Sequence, residues 1–221
     1  MKLHLITMTL TILTSIITYG QTSKKLCNCP KNDFTGTKAD TIFTPAKGKQ
    51  IALCGYRNPG SKPTNFSEFV LAVCGQDKVL GFWDAIQTCY VKTKKDTLLV
   101  ENIFNLPTGK NRTYKITVWA TDKIFFKNQK IIKTYSVNRN ILKYNQTNIT
   151  KTLKEFENSK GRINDGKMEL ANRLFIATIS GNKTARKYFK SFETKFGELD
   201  GAFSEEYSDL KIMLAQWDQQ K

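Results

Sequence analysis

Short runs of apolar residues recur through the first two thirds of the chain, spaced for strands rather than helices. After an irregular lead-in over residues 22–49, with an edge strand at 41–44, the pattern predicts strands over 51–54, 79–83, 88–93 and 97–104. Residues 66–74 are dense in apolar side chains and fit either a buried strand or a short helix. The plainest alternation is over 112–120. Tyr114, Ile116, Val118 and Ala120 fall on one side, and Thr113, Lys115, Thr117 and Trp119 on the other, so the strand has one buried and one wetter face. Residues 124–126 and 131–137 then form a closing hairpin across the polar 127–130.

From Asn148 the period changes from two to nearly four. Ile149, Leu153 and Phe156 start one helix. Met168, Ala171, Leu174, Phe175 and Thr178 mark a second. Asn182 is a suitable N-cap for a third, which carries Tyr188, Phe189, Phe192 and Phe196 and stops at Gly197. Ser204 is the expected cap of a fourth, with Tyr207, Leu210, Met213, Leu214 and Trp217.

Seven to nine strands without intervening helices predict an antiparallel β-sandwich, and the tail predicts a small C-terminal α-helical bundle, so the class is α+β. The turn Asn105-Leu-Pro-Thr-Gly, followed by Tyr114-Lys-Ile-Thr-Val, resembles the turn and strand of immunoglobulin-like and fibronectin-type repeats. That resemblance spans about 15 residues; it implies an immunoglobulin-like or jelly-roll-like sandwich and assigns no functional residue. The domains are expected at 21–147 (sandwich) and 148–221 (helices).

Residues 1–20 sharpen the picture. A weakly basic start, an uncharged apolar run over 5–17 and small residues in Thr18-Tyr19-Gly20 fit a secretory signal peptide. The run is short of the roughly 20 residues needed to cross a bilayer. A secreted or periplasmic location follows. His4 is the only histidine and lies in this leader, so Ser-His-Asp and Cys-His catalysis and histidine-ligated metals are excluded from the mature chain.

Export also makes the five cysteines, Cys27, Cys29, Cys54, Cys74 and Cys89, candidates for disulfides. Two bridges and one leftover thiol is the simplest arithmetic. Cys74 with Cys89, or Cys54 with either, is one arrangement; one member of the Cys27-Asn28-Cys29 motif then bridges the remaining cysteine and the other stays free. Thiolates in such a motif would also suit Cu(I). No motif for a metal or a cofactor is present.

The chain carries 35 Lys and Arg against 19 Asp and Glu, a net charge of +16. Counting residues 21–147 gives 21 against 8, or +13; residues 148–221 give 13 against 11, or +2. The excess therefore belongs to the strand-rich half and favours an anionic partner: an acidic protein, an acidic glycan or an envelope lipid surface. Export argues against intracellular nucleic acid. Candidate contacts are Lys92, Lys94, Lys95, Lys127, Lys130 and Lys133, with Trp83 and Trp119 as surfaces on which a sugar would stack or, as sandwich tryptophans usually are, as core.

The leading expectation is an exported, non-enzymatic binding protein, of which an immunity or inhibitor protein is one kind. Two alternatives stand beside it. One is a small envelope hydrolase with paired carboxylates, for which Asp77, Asp84 and Asp96 are the nearest material. The other is a structural adaptor that meets its partner through the helical tail.

Overall fold

A computed structural model describes residues 27–30, 38–46, 48–76, 78–160 and 164–220. The leader expected at 1–20 lies outside these residues. Among the described residues there are eight strands: β1 (Thr41–Ala46), β2 (Lys49–Arg57), β3 (Phe66–Val73), β4 (Val79–Trp83), β5 (Cys89–Lys94), β6 (Thr97–Leu106), β7 (Lys115–Lys127) and β8 (Lys130–Val137). All pair antiparallel in one sheet of order β1-β2-β3-β5-β6-β7-β8, with β4 also on β3. Between β3 and β5 the ladder is a single pair, Phe66 opposite Cys89. The α+β class is thus present as one eight-stranded antiparallel sheet followed by helices.

Two details of β7 depart from the sequence pattern. Residues 115–120 and 124–126 belong to one strand, because the polar Thr121, Asp122 and Lys123 between them are paired to β6 and to β8, while residues 112–114 fall in the turn before it. The alternation is also interrupted. Asn102 faces Ala120 and Ile103 faces Val118, so Trp119 is the extra residue of a bulge. Past it, Ala120, Asp122 and Ile124 point inward; before it, Tyr114 and Ile116 are exposed and Trp119 is buried. Lys127 and Lys130 then close a tight hairpin through Asn128 (φ 49) and Gln129 (φ 62), the left-handed pair that matches strand twist.

The two faces of β2 and β3 enter different apolar clusters. Ile51, Leu53, Phe69 and Leu71 join Trp83, Val91, Leu98, Val100 and Ile124 in a core drawn from β2 to β7. Ala52, Cys54 and Val70 face outward beneath the segment 27–30, with Cys29. That segment is bonded in place by Cys27–Cys74 and Cys29–Cys54. With sequence separations of 47 and 25, each closed loop stabilises by roughly 3–4 kcal/mol in the chain-entropy model.

The helices are α1 (Gln146–Asn158), α2 (Asn164–Ile179), α3 (Lys183–Lys190), α4 (Phe192–Phe196) and α5 (Gly201–Gln219). The Asn182 side chain accepts from Ala185 N, as an N-cap does, and Asn145 does the same for Asn148 N. The third expected helix is broken at Ser191 into α3 and α4. The fourth starts at Gly201, with Asp200 as its N-cap residue, so Ser204 sits inside it. Helix α2 is buried nearly all round, against α1, α3 and α5.

One cluster joins the helices to the sheet: Leu106, Trp119, Ala120 and Val137 pack with Phe175, Leu174, Met213 and Trp217. Polar links fasten the same seam. Gln216 Oε1 accepts from Trp119 Nε1 at 3.0 Å and from the Tyr135 hydroxyl at 2.8 Å. Arg112, buried in the turn before β7, makes a two-pronged bond to Glu155 of α1 at 2.8 and 2.9 Å. Burial pushes the Glu155 carboxyl up, but Arg112, Arg173 and Lys151 outweigh it and hold the group below its ordinary value. Among the described residues no helix is long and apolar enough to cross a membrane.

Candidate functional site

Antiparallel strands joined by hairpins place alternate turns at the same end of a sheet. Here the turns β1–β2, β3–β4, β5–β6 and β7–β8 meet at one end. Lys49 stands opposite Ala46, Lys94 opposite Thr97, and Lys127 opposite Lys130; Thr97 in turn faces Phe125 on β7. Lys49 Nζ lies 5.9 Å from the centre of the Phe126 ring, which brings the first hairpin to the last. Lys78 joins them on a hollow of about 380 Å³ lined also by Gln76, Gln129, Lys130 and Ile131.

Six lysines from four turns therefore share this end: Lys49, Lys78, Lys94, Lys95, Lys127 and Lys130. All but the half-buried Lys49 are exposed, and none is in an ion pair among the described residues. Asp96, at the tip of the β5–β6 turn, is the acidic side chain described there. Asp77 lies outside the described residues.

Four of the six lysines expected from the sequence are in this group. Lys92 is not: it pairs with Glu101 across β5 and β6 at 2.8 Å. Neither is Lys133, which lies 3.6 Å from Asp122 and over the Trp83 ring at 4.8 Å. Lys49 and Lys78 were missed. No parity count along the chain places them there, because β4 and β5 both pair with β3 and the β4–β5 connection is not a hairpin.

The tryptophans offer no stacking surface. Trp83 is 3 % exposed; Phe69 stacks on it at 4.9 Å and Lys133 lies over the ring. Trp119 is 1 % exposed, between Phe175 and Trp217. Both instead form part of the wall of a second hollow, about 320 Å³, between β4, β8 and α5. Asp84, Asp122 and Asp209 also line it. Asp84 Oδ1 accepts from Ile86 N and Gln87 N, both at 3.1 Å, which fixes the β4–β5 turn. Burial pushes the Asp122 carboxyl up while Lys133 draws it back. Burial, then the Asp122 charge, push the Tyr135 phenol up to about 12.

Both cysteines of the Cys27-Asn28-Cys29 motif are in disulfides, and Cys89 is the free one. The motif therefore has no thiolate for Cu(I), and Cys74 and Cys89 are not partners. Buried Cys89 sits within 3.2 Å of Asn102 Oδ1, and burial, then Asp122 and Asp84, push its thiol up to about 12. At neutral pH it is a protonated, inert thiol. Among the described residues no group of three or more His, Cys, Asp or Glu is placed to hold a metal ion.

No protein-family model, no curated protein and no solved structure matches the chain.

Proposed function

We propose that this chain is an exported, non-enzymatic binding protein that engages an anionic partner through the hairpin end of its sheet. The sheet, creased where β3 meets β5, serves as the sandwich-like platform. One observation carries the proposal: lysines from four separate turns converge at one end, and none of them is in an ion pair among the described residues. Cations held by carboxylates are committed to the fold; cations left unpaired keep their field for a partner. Six such charges attract an acidic protein, an acidic glycan or an anionic lipid headgroup, and they raise the encounter rate more than they lower the dissociation rate.

The test is the association rate with heparin, with phosphatidylglycerol vesicles and with an acidic protein, at low and at high salt. The expected result is binding to at least one probe, slowed steeply by salt and lost when the six lysines are changed together to glutamine. Equal binding by that variant, or no binding to any of the three, overturns the proposal.

A hydrolase has one observation in its favour: Asp84, Asp122 and Asp209 line one hollow. Acid–base work needs one carboxylate free to give and another free to take a proton. Asp84 is engaged by two backbone N–H groups and Asp122 by Lys133, which leaves Asp209 without a second such group. The adaptor reading calls for a helical tail available to a partner. Here most of the tail's apolar side chains are buried against one another and against β6, β7 and β8, and Ile212 of α5 is exposed.

A further inference from the structure

The hollow between β4, β8 and α5 differs in kind from the basic end. Its wall is largely apolar and aromatic, with Phe104, Trp119, Tyr135 and Met213. Its rim carries Phe82, Ile86 and Ile212, which are 50 %, 65 % and 53 % exposed. Large apolar side chains scattered singly over a surface need no explanation, but several on the lip of one cavity mark a contact surface. The volume, about 320 Å³, is at the lower limit for a ligand pocket and fits one long side chain.

The charge inside is the reverse of the protein's own. Three carboxylates face one lysine. Lys133 belongs to Asp122. Asp209, half-buried on α5, has neither a hydrogen bond nor an ion pair among the described residues. Burial, then the charges of Asp84, Glu205 and Glu206, push its carboxyl up. A carboxylate held half out of water among like charges is disfavoured until a cation reaches it.

We propose that this cleft binds a peptide through one arginine side chain, whose guanidinium meets Asp209 and Asp84 while its apolar neighbours lie on the rim. Arginine suits the site better than lysine. Its planar head is weakly hydrated, lies against aromatic faces and offers a fork of donors to carboxylates. A peptide suits it better than a small amine because the exposed apolar rim extends beyond the cavity.

The test uses the whole protein and acetyl-Leu-Arg-Leu-amide, read by tryptophan fluorescence, since Trp83 and Trp119 form part of the wall. The control is the same peptide with citrulline, which keeps the shape and removes the charge. Saturable binding is expected, weakened about tenfold by citrulline and about as much by Asp209→Asn. The variant with six lysines changed to glutamine at the hairpin end should bind the arginine peptide no more weakly than the unmodified protein, which separates this site from the basic one. Equal affinity for the citrulline peptide, unchanged affinity in Asp209→Asn, or no saturation by about 10 mM overturns the proposal. The citrulline comparison needs no variant, so it decides the matter even if Asp209→Asn fails to fold.

Discussion

The two ends of the sheet use the same kind of residue in opposite ways. Where the helices pack, three arginines have partners: Arg112 with Glu155, Arg139 over Trp217 at 4.1 Å, and Arg186 with Asp218 at 2.6 and 2.9 Å, while Lys183, Lys187 and Lys190 of α3 are in no ion pair among the described residues. At the hairpin end, none of six lysines is in an ion pair among the described residues. The comparison teaches that net charge by itself says little about where a partner binds. What matters is which cations the fold has left unclaimed.

The sharpest way to break this contrast is Glu155→Ala. It strands Arg112, whose side chain is 5 % exposed, and should cost roughly 3 kcal/mol in denaturant unfolding. A loss under about 1 kcal/mol would mean that water already serves Arg112. Acid titration adds a sign. The folded carboxyl of Glu155 is held below its ordinary value of 4.5, so its contribution is present above that pH and is lost as pH falls through the lower, folded value. Glu155→Gln should flatten that part of the acid limb. Asp122 and Asp209 are shifted the other way, so their ionisation lowers stability as pH rises past the ordinary carboxylate range.

A smaller effect is expected at Arg186→Gln. Its ion pair with Asp218 is about one third exposed on each side, so its loss should cost about 0.5–1 kcal/mol and less in high salt. The smallest effect on stability belongs to the lysine end. Changing Lys49, Lys78, Lys94, Lys95, Lys127 and Lys130 to glutamine should leave the free energy of unfolding unchanged, or raise it by up to about 1 kcal/mol as mutual repulsion is relieved. A clear loss of stability there would show those lysines to be structural and would erase the contrast.

Much of the layout was legible along the chain. The strand at Val79–Trp83 and the cap at Asn182 follow from local rules, because alternation and capping are decided by a few neighbouring residues. Long-range matters were not. The bulge at Trp119 depends on which residue of β6 stands opposite, and no alternation count along β7 alone contains that partner. The Arg112–Glu155 bond spans 43 residues, and its two members look like ordinary surface charges in their own segments. Cysteine pairing was open for the same reason: Cys54 and Cys74 share a face of the β2–β3 region with the segment 27–30, and spacing cannot say so. The lysine cluster lay between these cases. Each turn was readable, but their meeting was not, because β4 and β5 both pair with β3 and break the run of hairpins.

The lone ladder contact between Phe66 and Cys89 also makes the sheet a two-leaved object with a narrow spine. Backbone bonding across that spine is a single ladder pair, so the leaves are held together by the apolar core they share, and they part only when that core opens. The unpaired sulfur sits on that spine. Its slow capture by an alkylating reagent is thus a built-in clock for how often the leaves come apart, readable in the unmodified protein without any added label.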